Sequence, residues 1–375
     1  MPEHTEKTEL LIIGGGVIGA SIAYHCAEAG VQVTLVEQND GFGQATTSET
    51  ARAFRSYFPR RPYDSELVVR SMAEFRNFSK VTGAELELVD LGLLTILTNP
   101  HDAAEVESHV PAQRAVGVEL ELLTGAQAKE LNPWLDPDTV ELAVWTPQTY
   151  RIKPEVLVSG YVDAARRHGA RLLTGTTVTG IDASTGHVTT SAGDFTADSI
   201  VIAAGPLSGD VAKLAGLELP VWGQFSELLF TNDVSDSEVK TPFTLHPVSG
   251  LKTMGWDKGF LVGLERISKQ AGMRDIWFQA AVDELPKWYP RLENLTLRSG
   301  WTGTLDVTPS KSAIIGRASG EHERLLFAAG YTGHGLAQSP ITGRLVRDLH
   351  LGREPEVDLT PYSLATNLVE QERDS

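Results

Sequence analysis

The chain of 375 residues carries a single cysteine, Cys26. One thiol excludes an intrachain disulfide, a CxxC redox pair and a cysteine-built metal cage. Its place in an apolar, helix-like segment suits a small buried side chain. Long hydrophobic runs are missing too: none approaches the roughly 20 apolar residues that a membrane-spanning helix needs. Residues 1–9 are polar, with no apolar leader region before the first strand, so the expected setting is the cytoplasm. Cations are scarce: 32 Lys plus Arg stand against 49 Asp plus Glu, a formal charge of −17. Such a surface repels nucleic acid and anionic membranes, which excludes a polyanionic partner while allowing a local basic pocket. No Ser-His-Asp set, no cluster with metal-ligand spacing and no internal repeat is present.

The informative stretch lies near the N-terminus. An apolar run at residues 10–13 ends in Gly14, Gly16 and Gly19, and a helix-like segment follows over 17–29. Gly14 permits a tight strand-to-helix turn, Gly16 has no Cβ to obstruct a pyrophosphate, and Gly19 lets the helix pack close to the sheet. The helix start at Val17 and Ile18 presents N–H groups to phosphates. A plain glycine-rich turn shares this spacing. Here, however, residues 31–36 read as a second buried strand ending in Glu37, where a carboxylate meets a ribose hydroxyl. The stretch reads as a dinucleotide site.

At this length two domains are the better expectation. After a polar loop at 38–48, a helix is expected from a cap at Asp64 to about residue 81, then two strands over 85–97 around Gly92. Helical patterns follow at 102–117, 124–131 and 154–168, with strands at 140–145, 171–173, 176–182 and 195–204. Residues 221–301 are strand-rich and aromatic, with one helical interruption near 279–289. The end returns to strand–turn–helix logic at 325–329, 330–335 and 336–349. Nucleotide-site patterns at both ends, interrupted by strand-rich segments, predict an α/β fold. A doubly wound Rossmann-like domain (1–80, 151–220, 305–375) is interleaved with an antiparallel-sheet substrate domain (81–150, 221–304).

Four stretches resemble the flavin-dependent D-amino-acid oxidase, glycine oxidase and monomeric sarcosine oxidase family. They are residues 14–37, 150–154, 200–208 and the Tyr331-Thr332-Gly333-His334-Gly335 turn, spread over 9–352. The resemblance implies FAD rather than NAD. It implies contacts from Gly14, Gly16, Val17, Ile18, Gly19, Glu37, Gln38, Thr46, Thr47, Ser48, Val178, Ala204, Gly205, Gly303, Gly330, Tyr331, Gly333, His334, Gly335 and Leu336. The helix beginning at Leu336 would bring partial positive charge to the pyrimidine end of the flavin and favour its reduction. The substrate implied is an amine or amino acid oxidised at its C–N bond by hydride transfer, with oxygen or another acceptor taking the electrons.

Departures from that family matter as much. The cysteine that tethers FAD in sarcosine oxidases falls at Gly303, so FAD is expected to be held non-covalently. A substrate lysine falls at Ala337. The lysine that activates oxygen in sarcosine oxidases falls at Leu261, which predicts slow re-oxidation by oxygen; fast re-oxidation would instead point to Lys252 or Lys258 as the neighbour. For the chemistry, Arg55 matches the arginine that holds a substrate carboxylate, and Arg52 its neighbour near the flavin. A guanidinium fork suits bidentate carboxylate binding, although either residue equally suits a structural pair with Glu49 or Asp64. His334 is read as a polar group beside the amine or as a brace for its turn, and Trp301 as a pocket wall or as core. A 2-hydroxy acid or polyol dehydrogenase of the same fold, and a non-catalytic flavoprotein, remain alternatives.

Overall fold

The structure is a computed structural model that describes residues 5–264, 274–292 and 296–368. Residues 265–273 and 293–295 of the strand-rich segment lie outside these.

Glu6–Ile13 sits at the middle of an eight-stranded sheet. Val33–Val36 and then Arg171–Leu173 lie parallel on one side, and Gly193–Ile202 and then Leu325–Ala329 on the other, with Ile314–Arg317 antiparallel beyond. A hairpin of Val178–Asp182 and His187–Thr190 pairs with the start of Gly193–Ile202. The central strands are buried on both faces, which is why they read as continuous apolar runs rather than alternating ones.

The helix Val17–Glu28 is buried all round, from Val17 through Ala27, because it is packed between the sheet and the helices Pro154–Arg167 and Gly335–His350. Small residues let it cross the last of these closely. A Cβ on Gly343 would stand 2.2 Å from His25 Cδ2, and Ser21 donates to Ser339 O at 2.7 Å.

The expected helix from Asp64 to residue 81 is two helices, Pro62–Arg76 and Phe78–Thr82. Asp64 does not cap: the N-cap is Arg61, and the Asp64 carboxylate is buried in the first turn, paired with Arg61 at 3.0 Å and accepting from Ser312 Oγ at 2.7 Å. Inside the helix, Glu74 joins four elements. Its Oε1 takes Tyr161 Oη at 2.6 Å and lies 3.2 Å from His25 Nε2, while Oε2 takes Arg344 Nη1 at 2.9 Å.

The second eight-stranded sheet runs Leu297–Val307, Trp222–Thr231, Gly259–Leu264, Leu251–Trp256, Phe243–His246, Leu93–Leu97, Leu142–Thr146, Glu121–Leu123. One junction is parallel, Phe243–His246 against Leu93–Leu97; the rest are antiparallel. The two strands expected over 85–97 belong to different sheets: Val89–Asp90 joins Ala53–Arg55 and Thr149–Arg151 in a three-stranded ribbon. Residues paired across a ladder share a face. The registers therefore align Thr95, Leu245, Lys252, Gly263, Leu228 and Trp301 in one row.

Candidate active site

The first glycine turn works as its spacing predicts. Gly14 has φ +110°, and a Cβ there would lie 2.4 Å from Ala203 O; one on Gly19 would lie 1.9 Å from Gly14 O. These two are glycines because protein backbone approaches them. Gly16 is different: a Cβ there would meet only Thr47 Oγ1, at 3.4 Å, and the residue faces a cavity of about 380 Å³. The missing side chain leaves room for a ligand, not for protein. Thr47 Oγ1 also accepts from Val17 N–H at 3.2 Å at the helix start.

Of the expected cofactor contacts, Gly14, Gly16, Val17, Ile18, Glu37, Gln38, Thr46, Thr47, Val178, Ala204, Gly205, Gly303, Tyr331, Gly333, Gly335 and Leu336 line this one cavity. Residues more than 300 positions apart thus meet around a single space. Gly19 lies beneath the turn. Ser48 faces away, into a second groove, where its hydroxyl donates to Ala45 O at 2.9 Å. Gly330 acts through its backbone. Asp306 Oδ2 accepts from the N–H groups of Gly330 at 2.8 Å and Tyr331 at 3.0 Å, and the Asp306 carbonyl accepts from Thr332 N–H at 2.8 Å. Burial pushes the Asp306 carboxyl up to about 6, against the pull of those two N–H groups. Asp306 and Glu49 escaped the sequence reading, because the partners they hold are 24 and more than 250 residues away.

Two uncapped helix starts close on the cavity. Neither Gly16 nor His334 caps with its side chain, and neither helix carries an acidic residue in its first turn. Both therefore leave partial positive charge for a ligand. Glu37, buried at the cavity wall, accepts from Gly15 N–H at 2.7 Å and Asn39 N–H at 2.8 Å. A carboxylate has about four acceptor sites, so two backbone bonds fix it and leave capacity for ribose hydroxyls.

Gly303 has its own reason to lack a side chain: a Cβ there would stand 2.8 Å from Glu49 O. The loop is clamped at that point. Glu49 Oε2 accepts from Thr304 N–H at 3.1 Å, Thr46 Oγ1 donates to Thr304 O at 2.7 Å, and Trp301 Nε1 donates to Glu49 O at 2.9 Å. A cysteine could not enter without moving the loop. FAD is accordingly expected to leave the protein on acid precipitation, with yellow colour in the supernatant; a washed pellet that stays yellow would refute it.

Beyond the second helix start lies a group of cations. Arg55, at the end of Ala53–Arg55, stacks over Phe58 with its guanidinium carbon 4.8 Å from the ring centre. His334 meets the same ring edge-on, centroids 4.6 Å apart. Burial, then the charges of Arg55, Arg61 and Lys252, hold the His334 imidazole well below its usual range, so it is neutral at physiological pH. Arg61 pairs with Asp64, whose carboxyl also feels the charge of Arg55. Arg52 is not brought to the cavity. Held at φ +60°, it pairs with Glu155 at 3.4 Å in the groove that also contains Ser48. Trp301 is only partly buried and belongs to an aromatic cluster with Phe230 and Trp256.

Leu261 stands as a buried rung between Met254 and Phe230. Lys252, on that face, lines a cavity with Arg55, and its charge reaches His334. The sequence offers Lys252 only as one of two alternatives; the ladder register sets it opposite Leu245 and Gly263. Ala337 is buried in the core.

Doubly wound sheet, cradle and paired helix starts define a dinucleotide-binding oxidoreductase of the flavoprotein class. The chain belongs to the FAD dependent oxidoreductase family (DAO), whose model matches residues 9–349. Glycine oxidase of Geobacillus kaustophilus is 27% identical, over 97% of this chain and 98% of the relative. The crystal structure of L-proline dehydrogenase from P. horikoshii superposes with a TM-score of 0.84 at 23% identity, covering 99% of this chain and 100% of that one. That of G. kaustophilus glycine oxidase gives 0.79 at 24%, covering 96% and 99%. Among the described residues no helix is long and apolar enough to cross a membrane.

Proposed function

We propose that the chain oxidises the C–N bond of an amino acid or N-alkyl amino acid, and that Arg55 and His334 face the substrate. The observation that carries this reading is their joint contact with Phe58, next to the helix start that closes the FAD cavity. FAD, when bound, supplies the two-electron acceptor for the substrate C–H. The protein supplies orientation and electrostatics.

Arg55 anchors the substrate carboxylate through its planar fork. His334, held neutral, is able to accept a hydrogen bond from the substrate nitrogen, which must lose its extra proton to solvent before its neighbouring C–H can be lost. The product imine then hydrolyses in water. Arg52, paired with Glu155, has no such position.

Anaerobic titration of the purified yellow protein with parallel panels of amino acids, simple amines and 2-hydroxy acids tests the reading. Bleaching by amino acids supports it; bleaching by 2-hydroxy acids alone selects the alternative dehydrogenase. Glu37 tests the cofactor end. Glu37→Ala is expected to weaken FAD binding by about 1.5–3 kcal/mol, roughly ten- to a hundred-fold in dissociation constant. Unchanged affinity would remove Glu37 from the cofactor site.

A further inference from the structure

Asp306 puts a carboxyl into the wall of the FAD cavity. The residue is 6% exposed, lies on the strand Leu297–Val307 and lines the cavity beside Thr304, Leu305 and Tyr331. With the ribose at Glu37, the flavin ring falls toward the second glycine turn, next to His334 and Arg55. Asp306 holds this turn from behind. Gly330, Thr332 and Gly333 all have positive φ, at +79°, +51° and +85°, a conformation that a β-branched threonine rarely adopts. The two bonds to Asp306 Oδ2 and the one to its carbonyl fix that shape. His334 N–H donates in turn to Tyr331 O at 3.0 Å. One residue thus sets the turn that closes the cofactor cavity and the backbone that carries the imidazole.

Burial disfavours the ionised form of Asp306, while the backbone N–H groups of Tyr331, Gly330 and Asp306 itself favour it, which leaves the carboxyl at about 6. Among the described residues no charged side chain acts on it. On the turn, the Tyr331 phenol is raised by burial and donates to Thr342 Oγ1 at 3.1 Å, and His334 is neutral. On the facing loop, Glu49 accepts from Thr304 N–H at 3.1 Å. On the paired strand Gly223 stands opposite Asp306, and Glu227, further along, accepts from Thr302 Oγ1 at 2.7 Å. A proton on Asp306 is therefore governed by what enters the cavity rather than by a neighbouring cation.

Reduction by hydride adds negative charge to the flavin ring. A like charge arriving on the same cavity disfavours a buried carboxylate, so the two groups titrate as a coupled pair. We propose that Asp306 is a positioning residue for the redox step: as a carboxylate it braces the second glycine turn while FAD is oxidised, and it takes a proton from solvent when FAD is reduced. The charges balance. One hydride moves from the substrate carbon to FAD, whose charge falls by one, and one proton moves from water to Asp306, whose charge rises by one. The inference depends on bound FAD and not on which substrate supplies the hydride, so it stands or falls separately from the C–N reading.

The test is a potentiometric titration of the FAD-loaded protein with redox mediators and no substrate, in wild type and Asp306→Asn, from about pH 5 to 9. Asparagine keeps an acceptor oxygen for the two N–H groups and cannot take the proton. A two-electron couple moves about 30 mV per pH unit for each proton taken up, the equivalent of a tenfold change in equilibrium constant. Above about pH 6 wild type should fall by about 60 mV per pH unit, for two protons, until the pH passes the value Asp306 has beside the reduced ring. Asp306→Asn should fall by about 30 mV per pH unit over the same window. Infrared difference spectra of wild type give a readout that needs no variant. A protonated-carboxyl band should appear on reduction at neutral pH and shift when the aspartate carboxyls are isotopically labelled.

Equal slopes in wild type and Asp306→Asn overturn the proposal, whether shallow or steep, since a second proton on the flavin itself would steepen both. A wild type that shows no labelled carboxyl band on reduction overturns it as well, and that measurement decides alone if Asp306→Asn does not retain FAD. If the band and the slope difference both appear but no amino acid bleaches the flavin, the role of Asp306 stands and the C–N reading falls.

Discussion

Arg55→Ala is expected to lower kcat/KM for amino acids by about 2–4 kcal/mol, the scale of removing one partner of a desolvated, hydrogen-bonded charge pair. That is roughly thirty- to a thousand-fold in rate. Stacking on Phe58 at 4.8 Å holds the guanidinium flat and limits its rotamers, so its fork is preorganised for a carboxylate. Arg55→Lys should recover little, because an ammonium reproduces neither the fork nor the stacking. The loss should be confined to substrates with a carboxylate; the matching simple amines should lose much less. Steady-state kinetics on such matched pairs decides the point. Equal losses for both would make Arg55 a brace for the Phe58–His334 contact instead of an anchor.

Glu74→Ala should destabilise the fold by about 3–5 kcal/mol, the cost of breaking a buried charge pair by removing one member. The carboxylate is 8% exposed and is shared by helices Val17–Glu28, Pro154–Arg167 and Gly335–His350, through His25, Tyr161 and Arg344. Without it a buried phenol loses its acceptor, and the Arg344 guanidinium is left with Glu356 and Arg70 O. Burial raises the Glu74 pKa, but the bonds from His25 and Tyr161 and the charge of Arg344 outweigh it, so the net shift is downward from 4.5. A depressed folded value gives stability that is present above the ordinary glutamate range and is lost as pH falls through the folded value. Wild type should therefore lose more stability than Glu74→Gln on acidification below about pH 4.5. Denaturant melts across that range test this, and parallel curves would rule it out.

The sites for these two predictions differ in how visible they are. Arg55 was legible because the resemblance carries it. Glu74 was not: inside a helix it looks like any surface glutamate, and only the crossing of three other helices buries it. Arg52 is placed differently from Arg55. Adjacent in sequence to the Arg55 strand, it is turned by its positive φ into another groove.

What the sequence determined by itself is the set of features fixed by short-range rules. Gly14 and Gly19 specify their turn because one takes a positive φ and the other lies against Gly14 O, while Gly16 leaves room for a ligand. The apolar run 325–329 gives its strand to the residue because strand burial is written in consecutive side chains. Pro154 at a helix start likewise needs only its fixed φ. The tertiary structure alone decided that Lys252 rather than Leu261 reaches the cavity, that Asp306 braces the second glycine turn, and that Gly303 is kept bare by Glu49 O. Each of these depends on register or packing between segments tens to hundreds of residues apart. A strand's own pattern says which side chains share a face, but which neighbour it meets, and at which rung, is set by the energetics of the whole sheet.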